Sequence, residues 1–264
     1  MKIVFLGATR FSAEIIEYLL LKRTRIACIF AIPEKFRISY SGKKVKNFNY
    51  ADLSGIAKRY KIRFYPVDSA TGKRISDYSD VIKNIRPDVI IAAGWYYMVP
   101  KKIRDLAKYG AWGIHASLLP RYAGGAPLVW AIINGEKRTG VTLFQLDDGV
   151  DDGDIISQKH FSIGFKDTIK EVYEKAAVIS KNILVKALKN VSRLKPKPQD
   201  RKNIKIYPQR TPEDGRIDLN RTALEIYNFI RAQSFPYPGA FITAGDGKKV
   251  IIEKAGLVKR AVRT

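Results

Sequence analysis

After Asp88 come five apolar residues in a row, Val89 to Ala93. A strand with no polar alternation must be covered on both faces, and the usual place for one is the middle of a parallel sheet with helices on either side. The start of the chain supplies such a setting. Lys2–Leu6 reads as a strand ending at Gly7, and Ser12 is placed to cap a helix that carries Ile15, Ile16, Leu19 and Leu20 on one face. Ile26–Ala31 is the next strand, so the chain opens β-α-β, and that connection implies parallel pairing.

The alternation continues. A helix is expected over Asp52–Tyr60 with Leu53, Ile56, Ala57 and Tyr60 on one side, a short strand over Ile62–Tyr65 and a short helix over Ser79–Asn84. Pro100 opens a helix through Ala107. Strands follow at Ala111–Ile114 and Val141–Leu146. The fold class is α/β, a doubly wound and mostly parallel sheet. Pro33–Asn49, basic and aperiodic, reads as a loop. In such sheets ligands bind beyond the carboxyl ends of the strands. His115, just past one strand, and the Gly94–Tyr97 loop, just past another, both fall there. Gly7-Ala8-Thr9-Arg10 lacks the further glycines of a dinucleotide fingerprint and reads as a plain strand-to-helix turn.

Thr168-Ile169-Lys170-Glu171 is a capping box, and the helix it starts runs to about Asn190. Residues 191–210 contain Pro196, Pro198 and Pro208 without periodicity and read as a wrapping linker. Beyond it, Arg221–Gln233 is helical, with Leu224, Tyr227, Phe229 and Ile230 as apolar surface. Ala240–Thr243 and Val250–Ile252 flank Gly245-Asp246-Gly247 as a hairpin. The expected organisation is therefore an α/β unit over 1–190, a linker over 191–210, and a C-terminal helix and β-hairpin over 211–264.

Composition removes several classes. No apolar run is long enough to span a membrane, and the first residues read as a strand rather than a signal peptide. The single cysteine, Cys28, excludes an internal disulfide and fits a reducing cytoplasm. With only His115, His160 and Cys28 as soft ligands, a zinc site is not expected. The net charge of +23 favours anionic partners, whether nucleic acid or a nucleotide-linked small molecule.

The chemistry concentrates between Gly113 and Asp154. His115 ends a strand and opens a Ser-Leu-Leu-Pro turn. Asp151 sits in an acidic, glycine-containing loop after the next strand. Brought together at the sheet edge, a carboxylate can orient an imidazole so that it donates to a developing oxyanion. The acidic loop also reads as a solvated turn, and it lacks the pattern of a calcium-binding loop.

At these residues the chain resembles the folate-dependent formyltransferases, a family that includes sugar N-formyltransferases and methionyl-tRNA formyltransferases. The family's Asn-x-His-x-Ser-Leu-Leu-Pro-x-Tyr-Arg-Gly and Asp-x-Gly-x-Asp-Thr-Gly motifs stand here as GIHASLLPRYAGGAP and LDDGVDDGD. Thr211–Asp218, Ile230–Gln233 and the segment PYPGAF resemble the family's C-terminal part. The resemblance implies a Rossmann-like formyltransferase domain and His115 and Asp151 as the catalytic pair. It implies 10-formyltetrahydrofolate as co-substrate, with the pterin held by Trp95, Tyr96, Tyr97, Met98 and Val99 and by Asp147, Asp148, Gly149 and Asp151, largely through backbone groups. Two positions depart from the pattern. The family's catalytic Asn falls on Gly113, and an Arg of the glycine loop falls on Ala123. The roughly 50 residues after Arg210 are short for the β-barrel of the tRNA enzymes. The expected acceptor is therefore a nucleotide-linked amino sugar, in a cytoplasmic homodimer formed through the C-terminal region. Methionyl-tRNA is the alternative acceptor, and a non-catalytic binding relative is the alternative raised by Gly113.

Overall fold

The computed structural model describes residues 1–36, 45–68 and 72–258. The first strands and helix are β1 (Lys2–Gly7), α1 (Arg10–Leu21) and β2 (Arg25–Ala31). A short pair follows, β3 (Lys35–Phe36) and β4 (Val45–Lys46), at the two ends of the expected Pro33–Asn49 loop. The middle of that loop, and the last six residues of the chain, lie outside the described residues. Next come α2 (Ser54–Arg59), β5 (Arg63–Pro66), α3 (Ser79–Ile85), β6 (Val89–Ala92), α4 (Lys101–Arg104) and β7 (Ala111–His115). The second half holds β8 (Ala123–Gly124), α5 (Pro127–Ile133), β9 (Arg138–Gln145), β10 (Ile155–Ser162), α6 (Ile169–Lys189), β11 (Ile206–Tyr207), α7 (Ala223–Gln233), β12 (Ala240–Thr243) and β13 (Lys249–Ile252).

Seven strands form the main sheet in the order β10-β9-β7-β6-β1-β2-β5. The five from β7 to β5 are parallel, while β9 runs antiparallel to β7 and β10 antiparallel to β9. Strand order reverses between β1 and β6, so their carboxyl ends open a crevice there. The apolar run lies in β6, next to that switch. Val89 and Ile91 face a cluster built with Ile15, Ile16 and Leu19 of α1 and Ile183 and Leu184 of α6. Ile90 and Ala92 face the opposite cluster, with Ile82 of α3 and Ile103 of α4. Each fully buried aliphatic side chain contributes roughly 1.5–3 kcal/mol relative to exposure, which is why this strand tolerates no polar alternation.

Several elements differ from expectation for local reasons. The cap of α1 is Thr9, not Ser12. Thr9 has extended backbone, its hydroxyl accepts from the Ser12 N–H at 3.1 Å, and the Ser12 hydroxyl accepts from the Thr9 N–H at 3.0 Å. Ser12 then donates to the Ala93 carbonyl at 2.6 Å, fastening the helix start to the end of β6. Helix α4 stops at Arg104 because the Lys108 and Tyr109 N–H groups turn to the Pro87 and Asp88 carbonyls. His115 is the last residue of β7 rather than the first beyond it. Strand β10 is half-exposed and carries Gln158, Lys159 and His160, so its apolar signal was too weak to mark it.

The segment 191–210 is tied to the residues before it. Ile155 and Lys197 exchange backbone hydrogen bonds at 2.7 and 2.9 Å, and β11 pairs parallel with β8. The apolar side of α7 is only partly free. Ile230 and Ala232 are buried, Leu224 is exposed, and the Arg231 guanidinium reaches the Gly164 and Asp167 carbonyls at 3.3 and 2.7 Å. β12 and β13 form the expected hairpin.

Candidate active site

His115 lies at the carboxyl end of β7, with its ring buried between two acceptors. Nε2 is 2.7 Å from the Tyr122 carbonyl, and Nδ1 is 3.4 Å from Asp151 Oδ2. A carbonyl can only accept, so Nε2 carries a hydrogen and the ring is fixed by that bond. The Nδ1 contact is too long for a tight hydrogen bond. Each of its two groups can therefore take a further partner.

Asp151 reaches this position from the loop between β9 and β10. Its backbone is left-handed, with φ of 53°, a conformation that costs a non-glycine residue on the order of 1–2 kcal/mol. Its carboxylate accepts from the Gly124 N–H at 2.8 Å. Gly124 is held by β11, and a Cβ there would meet the Tyr207 carbonyl oxygen at 2.5 Å. His115 and Asp151, 36 positions apart in the sequence, thus meet in one site because β7 pairs with β9 and the Gly124 N–H, in the segment after β7, holds the carboxylate that comes from the loop after β9.

Gly113 and His115 are two residues apart on β7, so their side-chain positions share one face. Gly113 is directly opposite Phe144 of β9. A Cβ at Gly113 would lie 2.6 and 2.7 Å from the tip of the Phe144 ring and 2.8 Å from Leu146 Cδ2. Phe144 is 2% exposed and packs with Leu119, Ala123 and Leu146. The two departures noted in the sequence are therefore linked. Gly113 and Ala123 border one apolar cluster, and Phe144 occupies the room that a side chain at position 113 would need. No signal in the sequence ties Phe144 to Gly113; the pairing of β7 with β9 does.

The two segments named for a pterin adjoin. Arg104, 7% exposed, donates to the Val99 carbonyl at 3.2 Å and the Asp147 carbonyl at 2.6 Å, and pairs with the Asp148 carboxylate at 2.5 Å. One guanidinium thus joins the loop after β6 to the loop after β9, a residue the sequence did not single out. Trp95, Tyr96 and Tyr97 pack with Phe36, Ile32 and Ala8 as an aromatic wall. Met98 is exposed and the Val99 side chain is buried in the core, so at Val99 only the backbone is presented. The Trp95 indole N–H is buried with no partner among the described residues. A buried donor left unpaired is costly unless something accepts from it, and a heteroaromatic ring with acceptor nitrogens fits that wall.

The Asp147 carboxyl is held below the usual carboxylate range, first by the Asp148 N–H and then by Arg201 and Arg104 against the opposing effect of burial. The Tyr122 hydroxyl is pushed up to about 12, mainly by burial. Its backbone carbonyl, not its ring, serves His115. Among the described residues there is no cluster of three or more histidine, cysteine or acidic groups that could hold a metal ion. Among the same residues no helix is long and apolar enough to cross a membrane.

Comparison with known proteins identifies the family. The formyl transferase family model matches residues 1–188, and the model for the formyl transferase C-terminal domain matches residues 210–263. A methionyl-tRNA formyltransferase from Rickettsia bellii is 31% identical over 96% of this chain and 80% of its own length. The bifunctional polymyxin resistance protein ArnA of Wigglesworthia glossinidia brevipalpis is 38% identical over 76% of this chain and 30% of its own. A Mycobacterium tuberculosis protein, described as a likely sugar N-formyltransferase, superposes with a TM-score of 0.72 at 18% identity, over 98% of this chain and 99% of that one. The chain belongs to the formyl transferase family, whose members use formyl-tetrahydrofolate.

Proposed function

We propose that the protein transfers the formyl group of 10-formyltetrahydrofolate to the amine of a nucleotide-linked amino sugar, with His115 and Asp151 as the reactive pair. The observation that carries this reading is the 3.4 Å approach of His115 Nδ1 to Asp151 Oδ2 at the carboxyl edge of the sheet. A neutral amine attacks the formyl carbon, forming the new C–N bond and placing negative charge on the formyl oxygen. His115, as the imidazolium with its charge balanced by the Asp151 carboxylate and its ring aimed by the Nε2 bond to Tyr122, donates from Nδ1 to that oxygen. Asp151 takes the proton from the attacking nitrogen. When the oxygen's electron pair re-forms the carbonyl, the bond to the folate nitrogen breaks and that nitrogen takes the proton held by Asp151, which returns to the carboxylate. The pterin lies against the Trp95–Val99 wall and the Asp147–Asp151 loop.

The choice of acceptor rests on the C-terminal part. Among the described residues beyond 210 there is one α-helix, α7, and one two-stranded hairpin, and the sugar N-formyltransferase-like neighbour matches the chain end to end. Exposed Leu224, Phe235, Val250 and Ile251 on this part suit the expected homodimer surface. The second reading, methionyl-tRNA as acceptor, is favoured by the identity to the Rickettsia enzyme over nearly the whole chain.

Incubation with 10-formyltetrahydrofolate and a panel of amino-sugar nucleotides, with methionyl-tRNA in parallel, decides between them by the mass of one added formyl group. Binding to tRNA should weaken by orders of magnitude between about 50 and 200 mM salt, as counterion release requires; a nucleotide sugar should respond shallowly. His115→Ala should remove nearly all transfer, and unchanged turnover in that variant refutes the assignment.

A further inference from the structure

Asp151 is the one member of the pair whose backbone is strained, and two groups hold it. The Gly124 N–H fixes its carboxylate. The other is Gln199, in the segment between the α/β unit and the C-terminal part. Its Nε2 donates to the Asp151 carbonyl at 2.9 Å and to the Gly153 carbonyl at 2.6 Å. Gln199 is 9% exposed although it sits in a segment of exposed residues. The two hydrogens of the amide nitrogen match the two carbonyls. The opposite orientation would set oxygen against oxygen. Gln199 Oε1 has no partner among the described residues, so the nitrogen alone fixes the side chain.

The carbonyls it grips bracket Asp152 and lie on the turn that carries the left-handed residue. The same segment is anchored before Gln199 by the Ile155–Lys197 backbone pair and after it by β11 on β8. Neighbouring Arg201 bonds the Asp147 carboxylate at 2.7 Å at the other end of the loop. A strained turn persists only where its surroundings over-determine it. Here part of that determination comes from outside the residues matched by the catalytic-domain model.

We propose that Gln199 is a positioning residue for Asp151: its amide holds the β9–β10 turn so that the carboxylate faces His115. The proposal rests on the reading of His115 and Asp151 as the reactive pair. Loss of the two donors lets the turn relax from its left-handed conformation, and the carboxylate leaves Nδ1 while the fold stays intact.

The chain has only two histidines, so the imidazole nitrogens of His115 can be followed by NMR of protein labelled with 15N-histidine, with the exposed His160 as internal control. Gln199→Met keeps the side-chain volume and removes both donors, which separates hydrogen bonding from packing; Gln199→Ala removes both. Asp151→Asn gives the spectrum of a ring that has lost its carboxylate. In Gln199→Met the His115 signals should move toward those of Asp151→Asn, with His160 unmoved, and formyl transfer should fall by about 10- to 100-fold, as for other groups that orient a reactive residue. Signals of His115 that superimpose on the wild type overturn the proposal, whether or not turnover falls. Wild-type turnover in Gln199→Met overturns it as well. Should the wild-type protein formylate no acceptor, the reaction assignment fails, and the movement of the His115 signals still decides the positioning role.

Discussion

Replacing Gly113 by Asn restores the side chain found at this position in the family pattern, and in this protein it should do harm before it does good. The new Cβ would sit 2.6 and 2.7 Å from the Phe144 ring tip and 2.8 Å from Leu146 Cδ2. None of these can yield freely, because Phe144 is enclosed by Leu119, Ala123 and Leu146. Over-packing of this kind costs about 1–3 kcal/mol. The amide placed among those apolar groups adds about 1–3 kcal/mol if it is left unpaired. Gly113→Ala isolates the first contribution. Phe144→Leu deletes the two ring-tip atoms that collide, so the double variant Gly113→Asn, Phe144→Leu should recover most of the loss.

Urea unfolding reads these effects as shifts in midpoint at constant slope. The expected order of stability is wild type, then Gly113→Ala, then Gly113→Asn, with the double variant above Gly113→Asn. Turnover gives the other half. One oxyanion donor is worth about 2.7–4 kcal/mol, so the double variant should gain in kcat, with a ceiling on the order of a hundredfold or more. A Gly113→Ala protein as stable as the wild type refutes the steric argument. A double variant that folds well and gains no rate shows that groups other than a residue at 113 already hold the oxygen.

Three further outcomes follow from the ties around the site. Burial works to raise the Asp167 carboxyl, but Lys175, the Gly164 N–H and Arg231 outweigh it and hold it below the ordinary carboxylate value. A depressed folded-state pKa contributes stability above the unfolded value of about 3.9 and loses it as pH falls through the folded value. The stability gap between wild type and Asp167→Asn should therefore be widest near neutrality and close below about pH 4; a gap that widens on acidification refutes this. Arg231→Met removes the bonds to the Gly164 and Asp167 carbonyls and to Asn228, and should lower unfolding stability by roughly 2–3 kcal/mol; no change in the urea midpoint would show that the C-terminal part does not depend on them. Arg104→Met should loosen the Val99 and Asp147 loops together, raising the KM for the formyl donor more than it lowers kcat, and a pure kcat effect would contradict the proposal that these loops hold the pterin.

What the sequence revealed and what it hid divide along a physical line. β6 was legible because five apolar residues have one explanation, burial on both faces, and α6 because its cap and its apolar face agree. His115 and Asp151 stood out in the sequence through their motifs, and the structure brings their side chains to 3.4 Å. Strand β10 was not, since an edge strand with a wet face needs no apolar pattern. Gly113 raised a doubt that the sequence alone could not resolve. A missing donor can mean decay or a repacked site, and only the cross-strand register, which puts Phe144 opposite Gly113, distinguishes them. Random decay leaves a hole beside a retained His–Asp pair. Here the room is filled by a buried ring, with Ala123 shaped to the same cluster and the His115–Asp151 approach kept at 3.4 Å. A site that has lost its purpose has no reason to keep a strained Asp151 tied by Gly124 on one side and Gln199 on the other. On the proposed reaction, the oxyanion of a site filled in this way depends on His115 more heavily than the family pattern requires, and removal of that one imidazole should be more damaging here than loss of any other single group.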